Sequence, residues 1–421
     1  MIEYTRHLLD NGLTLLCHTD PGTSFVSVNT LYKVGARDED PDHTGFAHLF
    51  EHLMFGGSRH VDDFDTRVQQ AGGESNAYTN NDYTNYYTIV PAANIETALW
   101  LESDRMAGLN FSQRSLKVQK NVVIEEFKQH YLNRPYGDLW LHLRPLAYRV
   151  HPYRWNTIGV SPAHIERATL DEVKTFFRRH YAPDNAILAI SGNIPDTRAL
   201  ELVKRWYGDI PPGAAPRDDY PQEPRQREAR RRVVAEHAVP VPSDMLCLAF
   251  HVGRRSSDHF YACDILSDLF ANGDSSRLYT CLVKERLLFS ELDAYVTGDA
   301  DPGLFVFHGK LSPGIPVEEA EKALLEEIDR LARDGLTERE LQKVINKTDV
   351  RLSCSEINYQ AKASHLAFFE YLGDAELVNT ERARYSPFTP DELRDVARAL
   401  FVPENSSTLL YLASSRHENK S

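Results

Sequence analysis

GFAHLFEHLMFGGS, residues 45–58, sets the apolar side chains of Phe46, Ala47, Leu49, Phe50, Leu53, Met54 and Phe55 around three ionisable ones, His48, Glu51 and His52. The apolar spacing and the Gly56-Gly57 pair behind it predict a short helix with a glycine stop. At about 100° per residue, His48 and His52 lie about 40° apart, one turn above the other, with Glu51 on the same side. As a packing helix this segment would hold three ionisable groups in or near a core, which is costly unless they are paired or bound to metal. Two imidazoles at this spacing can hold one zinc ion, whose catalytic sites keep a position open for water. A glutamate beside the second imidazole can then take a proton from water that the metal has made more acidic. Each imidazole also needs an acceptor for its other ring nitrogen. The order H-x-x-E-H, the reverse of H-E-x-x-H, is the inverzincin motif. The competing reading is chance, since 17 histidines are available to fall on one helix face.

The segment has an echo further along. SFVSVNTLYKVGARDED (residues 24–40) precedes it, and DMLCLAFHVGRRSSD (244–258) precedes a second helix that ends in ILSDLFANGDSS (265–276). Aligning Val34-Gly35 with Val252-Gly253 and Met54-Phe55 with Leu269-Phe270, with a gap of three residues between, sets His48, Glu51 and His52 opposite Cys263, Leu266 and Ser267, so the second copy lacks comparable chemistry. A repeat of this kind points to duplication. Between the copies, residues 210–232 (IPPGAAPRDDYPQEPRQREARRR) have the proline and charge content of an exposed linker, and the basic run Arg225–Arg232 reads as a solvated connector. The expected division is 1–212, a linker at 213–232, and 233–421. Each half mixes short strands, such as YYTIVP, NAILAISGNI and GLFVFHGKL, with long amphipathic helices such as VEEAEKALLEEIDRLARDG. The expected fold class is α+β: two homologous α/β-roll domains, each a mostly antiparallel sheet with helices on one face.

A net charge of −14 argues against nucleic acid or an anionic membrane surface as partner. No window carries the roughly eighteen apolar residues of a membrane span. Residues 1–18 have an early acid and no long apolar run, so they do not read as a secretory leader. Cys17, Cys247, Cys263, Cys281 and Cys354 are odd in number and form no C-x-x-C pair. They are expected as free thiols in a reducing compartment, which makes a cytoplasmic location the expectation and leaves the periplasm open.

Five blocks in order, GFAHLFEHLMFGGS, GGESNAYTNNDYTNYYTIVP (72–91), VVIEEF (122–127), HPYRWNTIG (151–159) and FFRRHYAPDNAILAISGNI (176–194), resemble those of the pitrilysin family of zinc metallopeptidases. The second half resembles the family's zinc-free repeat. The resemblance implies peptide hydrolysis with one zinc per chain, with His48, His52 and a third, acidic ligand around the metal and Glu51 as the base. Glu126, 74 residues after His52, matches that third ligand, while its neighbour Glu125 points about 100° away on a helix. Gln119 stands where the family often has an additional acid. Asn76-Ala77 resembles the sheet edge on which a peptide substrate docks as an added strand, although Asn76 also reads as a turn amide after Gly72-Gly73. Tyr78, Tyr83, Tyr86 and Tyr87 read either as a cleft lining or as strand and core aromatics.

The second half departs from self-sufficient family members. After Ser275-Ser276-Arg277-Leu278 those members carry an Arg and, seven residues on, a Tyr that steady the peptide carbonyl; here Lys284 and Glu291 fall at those places. A glutamate there cannot donate as a phenol does. Arg286 and Tyr295 would serve only through a shift of register. The pattern resembles the zinc-bearing subunit of a two-subunit enzyme, whose homologous zinc-free partner supplies Arg and Tyr and closes a chamber around unfolded peptides. A homodimer is the alternative within the enzyme class. Outside it stands a non-catalytic structural or peptide-binding subunit of an assembly.

Overall fold

Apolar runs in each half of the sequence assemble into one sheet. The structure is a computed structural model that describes residues 1–213, 220–237, 239–355 and 357–413. The first sheet contains β1 (Thr5–Leu8), β2 (Thr14–Thr19), β3 (Phe25–Tyr32), β4 (Glu74–Thr79), β5 (Thr84–Pro91) and β6 (Ala186–Gly192), in the order β1-β2-β6-β3-β5-β4. β2 and β6 run parallel and the other neighbours antiparallel. The second contains β7 (Arg230–Val234), β8 (Met245–His251), β9 (Phe289–Val296), β10 (Leu304–Leu311) and β11 (Ser406–Tyr411), in the order β7-β11-β8-β10-β9. There β7 and β11 are the parallel pair. Without β1 the two orders superpose strand for strand, with the parallel pair in the same place. The expected α+β architecture of two homologous sheets with helices is therefore written into the topology.

Position in the sheet explains the strand sequences. Central β6 (AILAISG) is buried at every residue, as a strand flanked by neighbours and covered on both faces must be. β4 (ESNAYT) lies at the edge and alternates exposed with half-buried residues. Between β3 and residue 127 run α1 (Phe46–Leu53), α2 (Phe64–Gln70), α3 (Ile95–Ala107) and α4 (Gln113–Phe127). α3 carries a charged pair into the core. Glu102 accepts hydrogen bonds from the hydroxyls of Thr30 (3.2 Å) and Thr88 (2.8 Å) and from the Arg105 guanidinium (2.6 Å at the shortest). That guanidinium lies 4.4 Å from the ring centroids of both Phe64 and Tyr86.

The chain gathers into two compact units, each drawn from three segments. The first holds Met1–Phe127, Trp155–Pro221 and Leu352–Thr380; the second holds Lys128–Arg154, Gln222–Arg351 and the chain from Glu381 onward. Each unit thus takes a helix from the other half of the sequence. In the first, the helix Tyr359–Tyr371 packs Ala363, Leu366 and Ala367 with Leu16, Leu31 and Ile187. In the second, the helix Leu139–Ala147 packs Leu139 and Leu143 with Cys247, Val306 and Leu409.

Of the stretch 213–232 expected as a linker, 214–219 lie outside the described residues. The basic run beyond them is solvated only in part: Arg225, Arg227, Arg231 and Arg232 are exposed. Gln226 and Arg230 are buried, and Arg230–Val234 is β7 itself. The Gln226 side-chain amide donates to the Ser406 carbonyl (2.6 Å), and the Arg230 guanidinium donates to the carbonyls of Leu146 and Ala147. Those carbonyls close a helix end, so the guanidinium satisfies acceptors that the helix leaves open. Among the described residues no helix is long and apolar enough to cross a membrane.

Candidate metal centre

α1 is preceded by Gly45, whose φ of +91° suits glycine, and a Cβ there would stand 2.7 Å from the Ile158 carbonyl oxygen. Glycine brings no capping side chain, and Glu39 takes that role from outside the helix. Its Oε2 accepts the N–H of Gly45 and its Oε1 the N–H of Ala47, both at 2.8 Å. Phe46, Ala47, Leu49, Phe50 and Leu53 are buried, and the Phe50 ring stacks on Phe176 (4.9 Å) and Tyr181 (5.1 Å). The apolar face of α1 is therefore core, and the opposite face carries His48, Glu51 and His52 in half-buried positions.

Three donor atoms converge there. His52 Nε2 lies 3.4 Å from His48 Nε2 and 3.3 Å from Glu126 Oε2, and His48 Nε2 lies 3.6 Å from the same oxygen. Glu126 arrives from the last turn of α4, half-buried, while Glu125 is exposed. Burial, and then the neighbouring His52, hold the pKa of His48 down at about 3, so its ring is neutral near pH 7 with a lone pair to give. Electron-pair donors this close repel one another unless a cation or protons lie among them. Donors 2.0–2.2 Å from a tetrahedral ion stand about 3.3–3.6 Å apart, and two imidazole nitrogens with one carboxylate oxygen are a common catalytic zinc set. Donor type and spacing both fit zinc. One expectation fails: His48 Nδ1 is buried with no hydrogen-bond partner among the described residues, so the acceptor that usually orients such a ring is missing.

Glu51 is held separately. Its Oε2 accepts the Thr79 hydroxyl at 2.7 Å, and burial pushes its pKa up while Thr79 pulls it back. Thr79 is the last residue of β4, so the edge strand ends at Glu51. Asn76 and Ala77 lie on that strand opposite Tyr87 and Tyr86, and Asn76 Oδ1 accepts the Ala77 N–H at 2.8 Å. Among the described residues β4 has a strand neighbour on one side only. Of the tyrosines, Tyr86 is buried against Tyr32 and Tyr83 packs on Phe368 and Tyr371, whereas Tyr78 and Tyr87 remain partly exposed.

Among its described residues the second unit offers no equivalent. Cys263, Leu266 and Ser267 are buried in the helix Asp258–Ala271. Among the described residues, His48, His52 and Glu126 are the one group of three that brings such donor atoms together. Arg277 is committed to Glu340 (2.8 Å), Glu291 on β9 pairs with Lys310 (2.7 Å), Lys284 is exposed, and Tyr295 packs on His308. Sequence reasoning missed Glu39 and Thr79. Glu39 sits nine residues before His48 with no periodic relation to it, and Thr79 is one of three threonines in the stretch 72–91. Only the uncapped glycine start of α1 hinted that an acid from elsewhere was needed.

Comparison with known proteins bears on the family and the fold. Residues 14–154 match the family described as insulinase (peptidase family M16), and residues 167–348 match the one described as peptidase M16 inactive domain. The zinc protease PqqE of Helicobacter pylori is 29% identical over 411 residues, covering 95% of this chain and 91% of that protein. The crystal structure of a protease from Helicobacter pylori superposes with a TM-score of 0.92 at 28% identity, covering 98% of this chain and all (100%) of that one. Pitrilysin shares the fold at a TM-score of 0.75 and 16% identity, with 98% of this chain matching 45% of that longer chain. With an N-terminal domain of the insulinase type and a C-terminal domain of the inactive type, this chain belongs to the M16 (insulinase/pitrilysin-type) peptidase family.

Proposed function

We propose that the chain is a zinc metalloendopeptidase acting on peptides or unfolded segments, with His48, His52 and Glu126 as ligands of one zinc ion and Glu51 as general base. One observation carries the reading: two imidazole nitrogens and a carboxyl oxygen stand 3.3–3.6 Å apart on α1 and α4, with the Glu51 carboxyl on the same helical turn. A zinc ion held there supplies Lewis-acid polarisation of a carbonyl and of water. Glu51 takes the proton of the attacking water and passes it to the leaving amine, and Thr79 holds the carboxylate in place for both transfers. A peptide added along the open side of β4 at Asn76 and Ala77 is bound through backbone hydrogen bonds, with little demand on its side chains. Because β4 ends at Thr79, such a peptide runs towards Glu51.

Lys284 and Glu291, the latter tied to Lys310, favour a heterodimer in which a zinc-free homologous subunit supplies Arg and Tyr and helps enclose the substrate; a homodimer is the second reading. The division at 213–232 and a cytoplasmic location, which the free thiols support, belong to the same proposal. The test is cleavage of an extended quenched peptide by the zinc-loaded chain, alone and with a candidate zinc-free partner. Cleavage abolished by Glu51→Gln and by a chelator supports the peptidase. Peptide binding without cleavage, with the partner present, would make the chain a non-catalytic peptide-binding subunit.

A further inference from the structure

We infer that Glu39 is a positioning residue for the metal centre: it fixes α1, and with it His48 and His52, in the register that brings their nitrogens to Glu126. The inference rests on the zinc reading above. α1 has eight residues and is preceded by a glycine that offers its amides no capping side chain. The helix is thus barely two turns long, below the length at which a helix holds itself together, and depends on what grips its ends. Glu39 grips one end with both oxygens, on the N–H groups of Gly45 and Ala47, the residue before His48. Both oxygens accept, which a carboxylate can do and a carboxamide cannot, because one end of an amide is a donor. The carboxyl group is buried, at 6% exposure, which pushes its pKa up while the N–H groups of Ala47 and Gly45 pull it back, and it lies at the positive end of the helix dipole. Thr44, the residue before Gly45, is held by the chain at 159–160. Val160 donates its N–H to Thr44 Oγ1 (3.0 Å), and Gly159 fits so tightly that a Cβ would stand 2.8 Å from the Thr44 carbonyl oxygen. With Thr44 held in this way and both Glu39 oxygens on the first turn, Glu39 sets how α1 is rotated and seated.

The test compares Zn²⁺ affinity, measured by competition with a chromophoric chelator, and the Co²⁺ absorption spectrum of wild type, Glu39→Gln and Asp63→Ala. Asp63 caps α2 in the same unit through the Thr66 N–H and serves as the control for loss of a helix cap. Glu39→Gln is expected to weaken Zn²⁺ binding by about ten- to a hundred-fold and to alter the Co²⁺ spectrum, while Asp63→Ala changes neither. Equal affinity and spectra in Glu39→Gln and wild type would overturn the inference. So would a Glu39→Gln chain that is unfolded by circular dichroism, since Glu39 would then serve the whole unit and not the site. If His52→Ala binds zinc as tightly as wild type, the zinc reading itself fails, an outcome distinct from either.

Discussion

Replacing Glu102 by Gln should cost the first unit about 3–5 kcal/mol of stability. Glu102 and Arg105 are both buried to within 1% of full burial, so neither charge has water as an alternative partner. Burying two charges is expensive, and their pairing offsets that cost only while both remain. In Glu102→Gln the guanidinium stays buried between Phe64 and Tyr86 with its strongest acceptor gone, and its Nη1 already lacks a partner. Thr30 and Thr88 lose acceptor strength at the same time, which loosens α3 from β3 and β5. Removing the stranded charge as well, in Glu102→Gln/Arg105→Met, should return part of the loss. The double variant is expected to be more stable than the sum of the singles by about 1–3 kcal/mol. Urea unfolding followed by tryptophan fluorescence reads this unit preferentially, because Trp100, Trp155 and Trp206 lie in it and only Trp140 in the other. A Glu102→Gln chain within about 1 kcal/mol of wild type, or strictly additive variants, would refute the buried-pair argument.

Three further outcomes follow from particular groups. A thiol reagent should modify exposed Cys354 at once and half-buried Cys281 more slowly, while Cys17, Cys247 and Cys263, buried and with pKa pushed up by that burial, react only on unfolding. Burial alone would raise the pKa of Glu340, but Arg277 and the Thr337 N–H and hydroxyl hold it down at about 2. Its contribution is complete above the unfolded value of about 4.3 and is lost as pH falls through about 2, so Glu340→Gln should flatten the acid limb of the stability–pH profile measured by urea titration. If missing Arg and Tyr side chains limit the isolated chain, Lys284→Arg/Glu291→Tyr should raise its peptide cleavage about ten-fold or more; no gain would count against a partner that supplies those groups.

Much of the fold was legible because it follows from pattern. Periodicity separated strands from helices, and the repeat of SFVSVNTLYKVG by DMLCLAFHVG foretold two sheets of one topology. The exchange of helices was not legible. The periodicity of Leu139–Ala147 and of Tyr359–Tyr371 declares an apolar face but not which sheet will cover it. The run Arg225–Arg232 misled because charge composition predicts solvation only when no carbonyls wait to be satisfied, and Arg230 finds two. In the metal centre, one helical turn made His48, Glu51 and His52 readable as a group. Glu126 needed the family resemblance, since no local pattern ties α4 to α1. Glu39 acts through hydrogen bonds to the N–H groups of Gly45 and Ala47, and Thr79 through one to Glu51, and spacing carries no trace of them.

The central claim is that His48, His52 and Glu126 together hold one zinc ion. X-ray absorption at the zinc edge of the metal-loaded chain, with zinc quantified per chain, tests it directly. The account predicts one zinc per chain with nitrogen and oxygen neighbours at about 2.0–2.2 Å, two of them imidazoles, and loss of that signal in His52→Ala. Sulfur neighbours near 2.3 Å, or a zinc content that His52→Ala leaves unchanged, would contradict it.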